Sequence, residues 1–375
     1  MMCMDKRLSV TFAVVVLASG LAAGETLPRF HPGVVWNQEI SSAPLHPDST
    51  TMIATLSGLG GFGNGRMQID FSLHVVQAQP GSPTRTTVSH PWGYYDPDCE
   101  PLGTTVPVPP GAAIEGETGM VCDNLNNDCH LLVVQGDTLY EAYLVTEASS
   151  TEIETHCLAV WHLGGAYPPE GRGDHCTSAD AAGFPMAALV FNADEIQASL
   201  DLDPTGGGDL GHAIRFILPN ARMANDPGLG GVSGRLYVRP ASHAGGPTGP
   251  VGSVPYGARL RLRPTFPVGE YPPSARVILN TFARYGIVLA DGGTVALTAE
   301  SDLFTTTSWA DLGIGSRVFD QTPGATVVTI NDFAVIDTGP RIAETYDCVR
   351  TVVEPGLFAD DFEEGDVSGW SLAVP

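Results

Sequence analysis

The stretch His130-Leu131-Leu132-Val133-Val134-Gln135-Gly136-Asp137-Thr138-Leu139-Tyr140-Glu141-Ala142-Tyr143-Leu144-Val145 reads as two strands joined by a two-residue turn. β-Branched and aromatic residues fill both runs, and Gly136-Asp137 supplies the turn. Such a turn fixes the register, so Gln135 faces Thr138, Leu132 faces Glu141 and His130 faces Tyr143. Alternation then places His130, Glu141 and Tyr143 on one face, with His130 and Glu141 as diagonal neighbours.

Runs of the same character recur on both sides of this segment. They fall at Met67–Ala78, His156–Leu163, His212–Leu218, Arg235–Val238, Ala258–Phe266, Ile287–Ala290, Thr294–Ala299 and Val327–Ile336. The chain holds 44 Gly and 30 Pro without a strict period, too many breakers for a helical protein. The pattern predicts a mainly β fold, an antiparallel β-sandwich or jelly roll with one or two short helices. A second hairpin is expected where Asp291 to Gly293 joins Ile287–Ala290 to Thr294–Ala299. The clear helix starts at Pro273, carries Val277, Ile278, Phe282 and Tyr285 as its apolar stripe, and stops at Gly286. A shorter helical turn is expected over Thr306–Leu312. The Gly-rich stretch Asp201–Gly211 is a soft boundary inside one body spanning 25–345, and residues 346–375 form an acidic tail.

The N-terminus predicts export. Lys6 and Arg7 precede an apolar run from Leu8 to Ala22, and small residues at Ala22-Ala23-Gly24 offer a cleavage site. The run is about 15 residues, short of the roughly 20 that a spanning helix needs. Residues 1–24 therefore read as a secretory signal peptide of the bacterial type. Six cysteines follow it: Cys99, Cys122, Cys129, Cys157, Cys176 and Cys348. An even count in an exported chain predicts disulfides, with Cys122–Cys129 and Cys157–Cys176 expected and Cys99–Cys348 left over. The spacing does not suit a zinc site.

The formal charge of −24 argues against nucleic acid, which needs a cationic footprint, and against anionic membrane surfaces. It fits a solvated acidic surface, divalent cations or neutral sugars. No Gly-x-Ser-x-Gly elbow, P-loop, dinucleotide fingerprint or His-Glu-x-x-His motif is present. No cofactor is implied. Calcium alone is kept in view, because Asp201, Asp203 and Thr205 before Gly206 resemble the start of a calcium loop. His212 stands where that loop needs a bidentate Glu. Asp123 to Asp128 is a second oxygen-rich segment, and a polar turn is the plainer reading.

A His beside a carboxylate can serve as a tuned acid or base, which makes His130 with Glu141 a catalytic candidate; a structural hydrogen bond is the rival reading. His212 and Arg215 point to opposite faces of one strand. His243 lies just past a strand end, where ligand groups gather. Arg259, Arg261 and Arg263 alternate along one strand and could hold an anionic sugar, although pairing with the protein's own acids is the plainer reading.

Several segments taken jointly resemble a group of large secreted bacterial proteins. They are residues 129–134 with 139–141, Thr177-Ser-Ala-Asp-Ala-Ala-Gly-Phe-Pro185, Gly211-His-Ala-Ile-Arg-Phe216, Pro240-Ala-Ser-His243 and Arg284-Tyr-Gly-Ile-Val-Leu-Ala-Asp-Gly-Gly293. The resemblance runs over roughly residues 35–340. It implies that His130, Glu141, Asp180, His212, His243 and Asp291 are the polar positions to watch, and it supplies no reaction. His175-Cys176 stands where that group has Gly-Trp. The tail from Phe358 resembles a terminal segment of exported bacterial proteins and implies a sorting or surface-handling tag.

These readings lead to an extracellular protein that binds or processes polysaccharide on a β-sandwich. If it is an enzyme, it is a glycoside hydrolase or polysaccharide lyase. Its catalytic candidates are His130, Glu141, Asp180, His212 and His243, and its substrate-binding candidates are Arg215, Arg261 and Asp291. Glu141 with Asp180 is the carboxylate pair that glycosidase chemistry asks for. The alternative is a non-catalytic cell-surface or matrix protein in which the same residues are core hydrogen-bond partners.

Overall fold

The computed structural model describes residues 27–31, 33–123 and 128–353. The signal segment at 1–24, the tail from 354 onward and the centre of the polar turn at 124–127 lie outside the described residues. The strands in chain order are β1 (Ile69–Leu73), β2 (Val75–Gln77), β3 (Thr84–Ser89), β4 (Thr105–Pro107), β5 (His130–Gln135), β6 (Thr138–Tyr143), β7 (Thr146–Ser149) and β8 (Glu152–Thr155). They continue as β9 (Cys157–His162), β10 (Ile214–Leu218), β11 (Leu236–Tyr237), β12 (Arg259–Leu262), β13 (Ile287–Gly292), β14 (Leu297–Glu300), β15 (Phe333–Val335) and β16 (Ile342–Ala343). Among the described residues four α-helices accompany them: α1 (Ser49–Gly58), α2 (Ala193–Leu202), α3 (Pro273–Arg284) and α4 (Val318–Gln321).

The mainly β reading holds. The hairpin β5–β6 forms with the predicted register, pairing Gln135 with Thr138, Leu132 with Glu141 and His130 with Tyr143. Its sheet, ordered β2-β5-β6-β9, is buried on both faces. Leu131, Val133 and Ala142 meet residues of the sheet β4-β3-β8-β7 in a smaller core with Val106, Ile153 and Leu158. Leu132, Val134 and Leu139 point the other way, into the main core with Trp161 and Phe184. A strand buried on both sides has to be apolar almost throughout, which is why Leu131 to Val134 shows no polar alternation. Each of those side chains is removed from water, worth about 1.5–3 kcal/mol apiece.

The third sheet carries the site. Its order is β1-β14-β10-β13-β12-β15, with α1 packed on β15 and α3 on β12. The sheets mix parallel and antiparallel pairs. β10 runs parallel to β13, β1 to β14, β2 to β5 and β3 to β8. The expected second hairpin does not form, because β10 inserts between β13 and β14 and bonds to both. The apolar, β-branched character of β10 suits this central place. The helix predicted from Pro273 is α3, and Thr306–Leu312 is a chain of turns. Three helices, α1, α2 and α4, escaped the sequence reading. One of them, α2, begins where the Asn192 side chain accepts from Glu195 N at 2.8 Å, with Asp194 and Glu195 in its first turn. One main core draws on residues from both sides of the Asp201–Gly211 stretch.

Three disulfides form: Cys122–Cys129 as expected, but then Cys99–Cys157 and Cys176–Cys348. The expected Cys157–Cys176 and Cys99–Cys348 pairs are corrected. Cys157 heads β9, which bonds through Leu158 to the loop ending at Cys99, while Cys176 lies against the C-terminal segment that carries Cys348. Spacing along the chain carries no trace of either neighbourhood. Replacing Cys176 and Cys348 together by Ser is expected to cost about 2–5 kcal/mol in urea unfolding, since this bridge closes the longest loop. Peptide mapping without reductant should recover Cys176 joined to Cys348; recovery of Cys157 joined to Cys176 would contradict the assignment.

Candidate active site

The polar residues converge on one tight segment, Thr177 to Gly183. Ser178 Oγ donates to Phe184 O at 2.7 Å and accepts from Asp180 N at 3.0 Å, closing the turn on itself. Asp180 Oδ1 accepts from Ala182 N at 3.0 Å. Gly183 has φ +77°, and a Cβ there would sit 2.1 Å from Ser242 Oγ, so only glycine fits.

Five side chains grip this segment. Arg215 on β10 donates from Nη2 to Asp180 Oδ2 at 2.6 Å and from Nε at 3.2 Å. Its Nη1 donates to Thr298 Oγ1 at 2.6 Å. His130 donates from Nε2 to Ala179 O at 3.1 Å, and His243 from Nδ1 to Ala181 O at 2.7 Å. Asp291 Oδ2 accepts from Ala181 N at 3.4 Å, and Asp98 Oδ2 from Thr177 N at 2.8 Å.

Asp291 reaches this place through a β-bulge. β10 and β13 pair Arg215 with Val288 and Phe216 with Leu289, then Ile217 with Asp291, skipping Ala290. Without the extra residue Asp291 would share the face of Phe216 and Leu218, which point into the main core. The bulge turns its carboxyl onto the face of Arg215 and Ile217.

Two clefts meet at Asp291. One, of about 560 Å³, is walled by Tyr94, Tyr95, Tyr143 and Tyr346, with Asp96, Asp98, Asp180, Arg235, His243 and Asp291 among its polar groups. The other, of about 420 Å³, is lined by Asp70, Ser72, Glu115, Asp128, His130, Arg215 and Asp291. Burial raises the Asp180 and Asp291 carboxyls alike, and each repels the other's charge. Arg215 lies against Asp180. Asp291 is left to hold its proton, pushed up to about 7 by burial and then by Asp180. His130 Nδ1 donates to Glu115 Oε2 at 2.5 Å, so both ring nitrogens donate. Burial works against this imidazolium, but the Glu115 carboxylate outweighs it and lifts the ring to about 9. His243 goes the other way. Burial lowers it from the ordinary value, outweighing the pull of Glu344, so the ring is neutral with Nδ1–H on Ala181 O and a lone pair on Nε2.

His130, Asp180, Arg215, His243 and Asp291 are thus brought together. Glu141, His212 and Arg261 are not. Glu141 is fully buried, accepting from Trp161 Nε1 at 3.0 Å and Ala187 N at 2.8 Å, and lines neither cleft. Its same-face relation to His130 holds, but Glu115 takes the expected place beside that ring. His212 is sealed in the core with Nδ1 on Ala213 O at 2.8 Å and its titration lowered well below the usual range by burial. Arg261 donates to the carbonyls of Ile40, Ser41 and Ala43, and Arg259 to those of Val35, Gln38 and Tyr285. These arginines strap the N-terminal segment to β12 instead of holding an anion. Asp203 spends its carboxylate on the N–H groups of Thr205 and Gly207. Among the described residues no group of three or more His, Cys, Asp or Glu side chains is set to hold a metal ion. Glu115, Asp98 and the cleft tyrosines were missed, since Glu115 and Asp98 sit in irregular loops with no periodic signal.

Comparison with protein-family models, with curated proteins and with solved structures gives no match.

The His130–Glu115 pair predicts a pH signature. His130 is raised above its unfolded value near 6.5, so its contribution is complete below about 6.5 and is lost as pH rises through about 9. Urea unfolding should show falling stability across that window. Glu115→Gln should cost about 3 kcal/mol at pH 6 and flatten the slope. A slope unchanged in that variant would sink the assignment.

Proposed function

We propose that this chain is a secreted protein that binds neutral polysaccharide in the tyrosine-walled cleft and hydrolyses it, with Asp291 as general acid and His243 as general base. The observation that carries this is the placement of Asp291, a carboxyl at the cleft wall holding its proton to about 7. Aromatic walls with a few convergent polar groups suit a sugar, whose ring faces stack on tyrosine. Asp96 and Asp98 against Arg235 disfavour an anionic chain, and the arginine that would have held one is occupied elsewhere. That weighs against the lyase alternative. The signal segment and three disulfides support an extracellular setting, and among the described residues no helix is long and apolar enough to cross a membrane.

Asp291 gives its proton to the glycosidic oxygen as the carbon–oxygen bond breaks. Water adds to the anomeric carbon and passes a proton to His243 Nε2, and exchange with solvent returns both groups to their starting states. Burial and the Asp180 charge keep the acid protonated, and Arg215 holds Asp180 in place, so both are positioning residues.

The test is to incubate the protein with neutral polysaccharides and count new reducing ends. Activity should rise as pH passes the depressed His243 titration, below 6.5, and fall as Asp291 ionises near 7. Asp291→Asn should lower kcat by about a hundredfold or more with little change in KM. A wild-type protein that binds a polysaccharide and releases no ends would replace this reading with the non-catalytic one. An active Asp291→Asn would remove the acid assigned.

A further inference from the structure

The same loop that supplies Tyr94, Tyr95, Asp96 and Asp98 to the cleft carries a bare indole outside it. Trp92 is 66% exposed, and Tyr95 beside it is 43% exposed. An exposed Trp is the costliest side chain to leave in water, and here it is held in place. Gly93 N donates to His90 O at 2.9 Å, Trp92 N to His90 Nδ1 at 3.2 Å, and the loop is tied down by Cys99–Cys157.

From Trp92 a strip of rings leads into the cleft. His90 lies 4.9 Å from Trp92 and 4.7 Å from His156. His156 lies 5.4 Å from Tyr95 and 6.2 Å from Tyr143, both cleft walls. Both ring nitrogens of His156 are buried and have no hydrogen-bond partner among the described residues. Buried polar atoms are nearly always satisfied, so this unpaired ring is set apart from the other histidines, and it joins exposed Trp92 at 6.3 Å to exposed Tyr95 at 5.4 Å in one continuous aromatic surface.

We infer that Trp92, His90 and His156 form an outer subsite that stacks a further sugar of the same polysaccharide chain, just beyond the cleft wall at Tyr95. This rests on the cleft reading above and deepens it, because it makes the substrate a polymer and not a mono- or disaccharide. The occupant follows from continuity. Tyr95 belongs to both surfaces, so a chain leaving the cleft past Tyr95 meets His156 and then Trp92. Trp92 is the specificity residue for length, with its flat face as the platform.

The test uses isothermal titration of the full chain with β-1,4-linked di- and hexasaccharides of glucose, N-acetylglucosamine, xylose and mannose. Trp92→Ala should weaken hexasaccharide binding by about five- to tenfold and leave disaccharide binding unchanged. Trp92→Phe should recover part of the loss and guards against a misfolded loop. Equal hexasaccharide affinity in wild type and Trp92→Ala overturns the subsite while leaving the cleft reading in place. So does an equal loss for both lengths, which would make Trp92 a support for the cleft. A wild type that binds no glycan of either length removes the cleft reading and the subsite with it.

Discussion

The buried ion pair between Asp180 and Arg215 is the constraint on which the rest of the site depends. Both side chains are almost wholly removed from water, where an isolated charge would be prohibitive, so each needs the other. Arg215 is anchored mid-strand in the centre of the six-stranded sheet, and Asp180 lies at the heart of the Thr177–Gly183 segment. Their bond therefore fixes the segment against the sheet. His130 and His243 then hold its carbonyls from either side, and the clefts open where these groups leave room. The pair also decides which carboxyl is charged. With one guanidinium for two buried acids, Asp180 takes the cation and Asp291 keeps a proton.

The pairing explains why opposite histidines stand around one loop. His130 donates from both nitrogens and is cationic, with Glu115 balancing it. His243 donates from one nitrogen and is neutral. Burial is common to both; the difference is a carboxylate at 2.5 Å in one case and a backbone carbonyl in the other. The first ring stiffens the site, and the second keeps a lone pair on Nε2.

Much of this was legible in the sequence where local rules govern. The β5–β6 register followed from a two-residue turn, and the helix from Pro273 followed from its apolar stripe and terminal Gly286. His130, Asp180, Arg215, His243 and Asp291 were all candidates. What the sequence withheld is long-range. Nothing in Asp291-Gly292-Gly293 says that β10 will slide between the strands flanking it, and a bulge at Ala290 leaves no mark in composition. Glu141 sits in a legible strand and Glu115 in an irregular loop, yet Glu141 is locked on Trp161 and Glu115 faces a cleft. Arg259 and Arg261 looked like an anion stripe because alternation reports a face and not what covers it. Here the N-terminal segment covers it. The two misassigned disulfides fail for the same reason.

The central claim is that Asp291 holds its proton near neutrality because burial and Asp180 oppose its charge while Arg215 is engaged. The most direct measurement is a carbon-13 NMR titration of the Asp291 side-chain carboxyl, assigned by comparison with Asp291→Asn. A midpoint near 7 is what the account requires. A midpoint near the ordinary aspartate value of about 4 would mean that Asp291 is a charged carboxylate at neutral pH and would contradict it.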